Sequence, residues 1–165
     1  MRASGRESFE AWARARQQTF VRNAFLMTGD FQRAEDLVQE ALIRAAERWD
    51  VLQAGNPDAW MRTVMYRQHV SWWRRTRHEL TVERVPDASN QTDSEAGLLL
   101  RDALALLTAR QRAVVILRFV EDLSVADAAA ALGVTEGTVK KQTSVALGRL
   151  REVAPELEEL EGDRA

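Results

Sequence analysis

Lys140, Lys141 and Gln142 stand together in the segment VADAAAALGVTEGTVKKQTS, and their side chains suit one kind of chemistry. An ammonium pairs with a phosphate or with the acceptor edge of guanine, and a carboxamide matches adenine if it faces the groove. The surrounding pattern can carry such groups into DNA. Ala129 lies four residues before Gly133, and Val139 lies six after it. A small residue lets two helices cross closely, a glycine accepts a left-handed turn, and a buried apolar residue fixes the angle. Ala128, Leu132, Val134 and Val139 form the small core of this helix-turn-helix. Val139, Thr143, Ala146 and Leu150 form the inward stripe of its second helix. Glu136, Lys140, Lys141 and Ser144 then point outward from the first turns, the part that enters a major groove. Arg149 and Arg151 lie further along, where backbone contact is expected. An ordinary helical hairpin with a basic surface is the competing reading.

A second cluster lies in NPDAWMRTVMYRQHVSWWRRTRHE. Trp60, Met61, Val64, Met65 and Trp72 share one face, assigned to a core. Arg62, Tyr66, His69 and Trp73 recur at i, i+4, i+7 and i+11 on another stripe, flanked by Arg67, Arg74 and Arg77. Rings stack on unpaired bases while guanidiniums hold phosphates, so this surface suits opened or single-stranded DNA. Packing of Tyr66 and Trp73 against the first helix is the alternative. Upstream, Asp36, Gln39, Glu40 and Glu47 lie opposite an apolar stripe of Phe31, Ala34, Val38, Ala41, Leu42, Ala45 and Trp49. An acidic face repels DNA and suits a basic protein partner, unless it is simply solvated.

Catalytic chemistry has little support. His69 and His78 are nine residues apart, out of helical register for a shared metal. There is no cysteine and no glycine-rich phosphate loop. Asp36 and Glu40 could hold a cation from one helix face, but no second carboxylate helix with matching ligands is evident. The expectation is a protein with no catalytic residues, no metal and no cofactor.

These side chains must be held by helices, since almost every apolar pattern has helical spacing. A first helix is expected over about residues 7–28, closed by Gly29, and a second over about 31–49, capped by Asp30. Asn56 followed by Pro57 restarts the chain into a third helix reaching about His78. The polar stretch 79–93, ELTVERVPDASNQTD, reads as a linker. Four more helices follow: about 94–107, then 109–121 behind a Thr108–Gln111 capping box. A short one behind Ser124 and Asp127 ends at Gly133, and a last one from Thr135 reaches about Val153. The fold class is therefore all-α, with two small helical domains, 1–78 and 94–153, and an acidic tail over 154–165.

The chain has 165 residues and 45% are hydrophobic, enough for real cores. The absence of cysteine excludes disulfides and thiolate metal sites. The start is polar and charged, with Arg2, Arg6 and Glu7, and no long apolar run follows, so a cytoplasmic protein without a membrane span is expected. The net charge is −2, which hides an uneven distribution. Residues 152–165 hold six acids against Arg164 and carry −5, leaving +3 on residues 1–151 by subtraction. The bases gather at Arg62 to Arg77 and at Lys140 to Arg151, which suggests two nucleic-acid contacts or two solvated faces.

Three segments in order, GDFQRAEDLVQEALIRAAERW, SWWRR and LTARQRAVVILRFVEDLSVADAAAALGVTEGTVKKQT, resemble the extracytoplasmic-function sigma factors. More closely, the chain is similar to their short actinobacterial subgroup with a Trp-Trp-Arg-Arg run. The resemblance spans about Phe20 to Arg151. It implies a transcription initiation factor built from the second and fourth sigma regions, which binds core RNA polymerase and promoter DNA. It implies that Asp36, Gln39 and Glu40 dock on the clamp helices of the largest subunit, with the polymerase flap as a further contact. By the same resemblance, the loop 50–58 and the following helix open and read the −10 element, with Asn56, Asp58, Arg62, Tyr66, Arg67, His69, Trp73, Arg74 and Arg77 as the contacts. The helix-turn-helix reads the −35 element as duplex, through Thr135, Glu136, Thr138, Lys140, Lys141, Gln142, Ser144 and Arg149. An anti-sigma factor is a partner that the resemblance leaves open. Two positions depart from the pattern. Many relatives have serine where Lys141 stands, and asparagine where Arg67 stands. A stand-alone helix-turn-helix regulator is the rival function; it explains the second half only.

Overall fold

In the computed structural model, residues 2–76, 95–153 and 155 are described. The expected linker 79–93 lies outside them, as do Arg77, His78 and all of the expected tail except Pro155. The chain divides into two compact units, Met1–Glu83 and Arg84–Ala165. Every regular element among the described residues is helical. None of these helices is long and apolar enough to cross a membrane.

The first unit contains α1 (Ala3–Thr28), α2 (Phe31–Glu47), the single turn α3 (Trp49–Leu52) and α4 (Pro57–Thr76). Local chemistry sets most of these boundaries. Gly29 takes a left-handed conformation, φ 69°, and returns its N–H to the Phe25 carbonyl, which closes α1. The Asp30 carboxylate accepts from the Arg33 N–H at 3.1 Å and opens α2. The Asn56 side chain accepts from the Ala59 N–H at 3.0 Å, and Pro57 occupies the first turn of α4. The second helix is shorter than expected. Arg48 leaves the helical region at φ −113°, and Trp49 starts α3, which runs to Leu52 and so into the stretch read as a loop.

Helix α2 lies between α1 and α4, so its apolar face is covered from two sides. Ala34, Leu37, Val38, Ala41 and Ala45 are fully buried. The alanines let the neighbouring backbones approach, and a buried leucine or valine contributes roughly 1.5–3 kcal/mol each. Phe20, Ala24 and Met27 from α1, with Met61 and Met65 from α4, complete this core.

The second unit contains α5 (Glu95–Ala105), α6 (Ala109–Val115), a π turn (Ile116–Val120), α7 (Val125–Leu132) and α8 (Glu136–Val153). Thr108 and Gln111 form the capping box at the start of α6, with bonds of 3.2 and 3.1 Å. The uniform helix expected to 121 instead widens. Glu121 donates to the Ile116 carbonyl at 2.9 Å, a five-residue step, and Asp122 leaves at φ 54°. Ser124 accepts from the Asp127 N–H at 3.0 Å and opens α7.

Candidate nucleic-acid interface

The turn between α7 and α8 is built as its sequence requires. Gly133 is left-handed at φ 67°, and its N–H reaches the Ala130 carbonyl at 3.3 Å. The Val134 N–H reaches the Ala129 carbonyl at 3.1 Å, so two last-turn carbonyls are satisfied. Ala128 and Val139 are fully buried, and Ala129 is 5% exposed. These small and branched side chains set the crossing. Leu132 and Val134, expected in the same core, are only half-buried. On α8 the inward stripe is carried by Val139 and Ala146, with Thr143 and Leu150 at its margin. Thr143 donates its hydroxyl to the Val139 carbonyl at 2.7 Å, so that oxygen turns back onto the helix.

Glu136, Lys140, Lys141 and Ser144 are exposed on the opposite side of α8. Thr135 caps the helix: its hydroxyl accepts from the Thr138 N–H at 3.1 Å and bonds the Thr138 hydroxyl at 2.9 Å. Thr138 and Gln142 are half-buried. Arg149 is exposed, but its Nε donates to the Leu106 carbonyl beyond α5 at 2.9 Å. It therefore holds α8 to the α5 end of the unit. A hollow of about 330 Å³ opens beside the exposed face, lined by Arg118, Val125, Lys140, Thr143, Ser144, Leu147 and Arg151. Three of these are cations and two carry hydroxyls, a lining suited to an anionic backbone.

Helix α4 corrects part of the sequence reading. Its buried face runs through Met61, Met65 and His69, at i, i+4 and i+8, with Tyr66 beside it. Tyr66 is 1% exposed and His69 is fully buried. Neither ring has a face open to a base, because α2 packs against this side of α4. Tyr66 therefore packs inward on the side covered by α2, where the expected alternative had the first helix, and His69 joins it in the core. Trp60, Val64 and Trp72, assigned to the core, lie at its half-exposed edge. Arg67, Arg74 and Arg75 are exposed, and Arg62 and Trp73 are half-buried. Trp72 stacks on His69 with ring centroids 5.9 Å apart, and the Arg33 guanidinium lies 4.2 Å from its ring centre. Such a cation over an indole contributes about 0.5–1 kcal/mol at a partly exposed site.

Asp58 has intrachain partners as well. One carboxylate oxygen accepts from the Trp12 indole N–H at 2.8 Å, and the other lies 2.8 Å from Arg16 Nε. Both oxygens are engaged with α1, so Asp58 ties α4 to α1. Sequence reasoning missed Trp12 and Arg16 entirely. Asn56 is exposed, with its side-chain oxygen on the cap of α4.

On α2, Asp36, Gln39 and Glu40 are all exposed. Asp36 accepts from Gln32 at 3.0 Å, and Glu40 accepts from the Gln68 amide of α4. The two carboxylates thus have intrachain partners, which their sequence positions did not reveal. Both pairs sit in solvent and leave the acidic face open to a partner.

This combination, a helix-turn-helix with a basic outer face and a helical unit with arginines on one helix and acids on another, defines a DNA-reading factor with a protein partner. Residues 13–79 match the family model for sigma-70 region 2, and residues 97–150 match that for sigma-70, region 4. The chain is 42% identical over 149 residues to the RNA polymerase sigma-E factor of Streptomyces avermitilis, covering 87% of this chain and 83% of that one. It is 36% identical over 146 residues to the ECF RNA polymerase sigma factor SigL of Mycobacterium tuberculosis, with 82% of each covered. Among solved structures, it is similar to the sigma factor RpoE from Bartonella quintana, crystallised with the anti-sigma factor NepR. That match has a TM-score of 0.73 at 29% identity and covers 88% of this chain and 96% of the other. The chain belongs to the sigma-70 family, in its extracytoplasmic-function group. It is a transcription initiation factor that directs RNA polymerase to promoters.

Proposed function

We propose that the two units divide promoter recognition between them. In the second unit, Glu136, Lys140, Lys141 and Ser144 face the −35 duplex from the first turns of α8. Thr135 and Thr138 stiffen the start of that helix, and Gln142 lies at the edge of the contact. The observation that carries this reading is the separation of faces on α8. Val139 and Ala146 are buried while Lys140, Lys141 and Ser144 are exposed. A helix anchored on one side and basic on the other can enter a major groove without disturbing its own core. Arg149 contributes to DNA only through the part of its guanidinium not engaged with Leu106.

In the first unit, Arg62, Arg67, Trp73 and Arg74 form the −10 surface, joined by Asn56 at the head of α4. Arg77 extends the same series in the sequence. Tyr66, His69 and Asp58 support this surface from within. The acidic face of α2, with Asp36, Gln39 and Glu40, docks on basic residues of the largest polymerase subunit, and the second unit approaches the flap. The protein works in the cytoplasm and performs no reaction of its own. The Bartonella quintana relative is described with an anti-sigma factor, and an antagonist of that class is extended here to this chain.

Reconstitution tests the reading. Purified chain and core polymerase are combined on genomic fragments, and start sites are mapped. Discrete starts that depend on the chain are expected. Binding to DNA in the absence of polymerase, with no new starts in its presence, would point to a stand-alone regulator.

A further inference from the structure

Ser8, Trp12 and Arg16 recur at i, i+4 and i+8 along α1, and all three hold the segment between Trp49 and Asp58. At its first end, the Trp49 indole N–H donates to the Ser8 hydroxyl at 2.7 Å. The same hydroxyl lies 3.2 Å from the Gln53 side-chain oxygen, one turn further on. At its second end, the Trp12 indole N–H donates to Asp58 at 2.8 Å, and Arg16 lies 2.8 Å from the other oxygen of that carboxylate. Rings reinforce the polar ties. Trp12 and Trp49 lie 4.9 Å apart between centroids, and Phe9 meets Trp49 edge-on at 5.3 Å. Trp49 itself is 3% exposed. Between these anchors the chain is open: Asp50, Val51, Gln53, Ala54, Gly55 and Asn56 are exposed.

We infer that the Ser8–Trp12–Arg16 stripe is a brace that sets the position of the exposed 50–56 segment, with Asp58 as its far anchor. Residues that never touch DNA thereby govern how the −10 strand is read. The physical reason is preorganisation. A short exposed segment fixed at both ends presents one arrangement of its polar groups, and the binding energy is not lost to ordering it. The acceptor is a full charge, so the Trp12 bond to Asp58 is stronger than a neutral hydrogen bond. The inference rests on the −10 role that the family resemblance implies for this loop and that is proposed above for Asn56.

The test uses holoenzyme reconstituted with full-length variants. Trp12→Phe keeps the ring and deletes the indole N–H; Asp58→Ala deletes both ties; Asp58→Glu restores a carboxylate. Open-complex formation is measured on a duplex promoter and on one already unpaired across the −10 element, and base preference is measured at each −10 position. Asp58→Ala is expected to slow opening of duplex about tenfold, the scale of one charge-assisted hydrogen bond. It should also flatten the −10 preference, with Trp12→Phe acting in the same direction and Asp58→Glu recovering part of the loss. Affinity for core polymerase and for −35 duplex should stay within about twofold, the normal range for distant independent sites. Unchanged opening and preference in Asp58→Ala would overturn the brace, as would losses that match a fall in core affinity or helicity. Alanine substitution of Asp50, Gln53 and Asn56 separates the two ideas. If that variant alters −10 preference and the brace variants do not, only the brace fails. If neither alters it, the −10 role of the segment fails as well.

Discussion

The guanidinium of Arg112, on a residue only 2% exposed, donates from Nε to the Leu104 carbonyl at 2.8 Å. Its Nη2 donates to the Leu107 carbonyl at 3.0 Å. These oxygens lie at and just beyond the C-terminal end of α5, where carbonyls are partly negative, and the Leu104 carbonyl also accepts the Leu107 N–H at 3.1 Å. A buried cation is costly in isolation, and here it is matched to the acceptors that most need a donor.

Replacement of Arg112 by Met should therefore remove the guanidinium donor from the Leu104 and Leu107 carbonyls and destabilise the second unit by about 3 kcal/mol. Arg112→Lys should recover only part of this, since a single ammonium lacks the planar fork. All five tryptophans lie in the first unit. Urea unfolding followed by tryptophan fluorescence should be unmoved, while circular dichroism should show the second unit melting earlier. Equal shifts in both signals would contradict the assignment.

Two glycines should respond to alanine with opposite signs. Gly133 is left-handed at φ 67°, so Gly133→Ala should cost about 1–2 kcal/mol. Gly148 lies within α8, and a methyl group there meets nothing within 4 Å. Gly148→Ala should stabilise by about 0.5–1 kcal/mol. Urea midpoints from circular dichroism check both, and shifts of the same sign would refute the helix-turn-helix strain argument.

Lys140 and Lys141 are both exposed, yet different roles are expected of them. Lys140 also lines the basic hollow with Arg118 and Arg151, which suits a phosphate contact. Lys140→Ala should weaken binding on every −35 duplex and reduce the salt slope by about one unit. Lys141 stands where the family resemblance leads one to expect serine. Lys141→Ser should change base preference at one position, by about 1–3 kcal/mol. Titrations against duplexes varied base by base decide it, and an unchanged preference removes the specificity role of Lys141.

The Asp36, Gln39 and Glu40 face makes a third kind of prediction. Its intrachain bonds, to Gln32 and Gln68, are solvent-exposed and contribute little to stability, about 0–1 kcal/mol each. Alanine at all three positions should leave the melting temperature nearly unchanged and weaken core polymerase binding at least about tenfold, the scale of a lost charged contact. Retained affinity would place the docking surface elsewhere.

Local chemistry was legible in the chain before the fold was seen. Asp30, Asn56, Thr108, Ser124 and Thr135 each cap the helix that follows, because a cap needs only its own next three residues. Gly29 and Gly133 likewise end helices where a left-handed residue is required. Long-range pairings were not legible. Trp12 and Asp58 are 46 residues apart, and nothing in either neighbourhood marks the other. Nothing beside Arg112 in the sequence marks it as buried against the end of α5. Tyr66 and His69 carry polar atoms, which drew them outward in the sequence reading, whereas their rings fill the face covered by α2. The π turn is invisible to apolar spacing, since one widened step barely shifts the pattern.

If two units read two promoter elements, their substitutions must act on different elements. Holoenzyme carrying the chain is run on two promoter libraries, one randomised only at −35 and the other only at −10, and transcripts are sequenced. Lys140→Ala and Lys141→Ser should alter the ranking in the −35 library and leave the −10 ranking intact; Arg67→Ala and Arg74→Ala should do the reverse. If either pair reshapes the ranking of the other element, the division of recognition between the units is wrong.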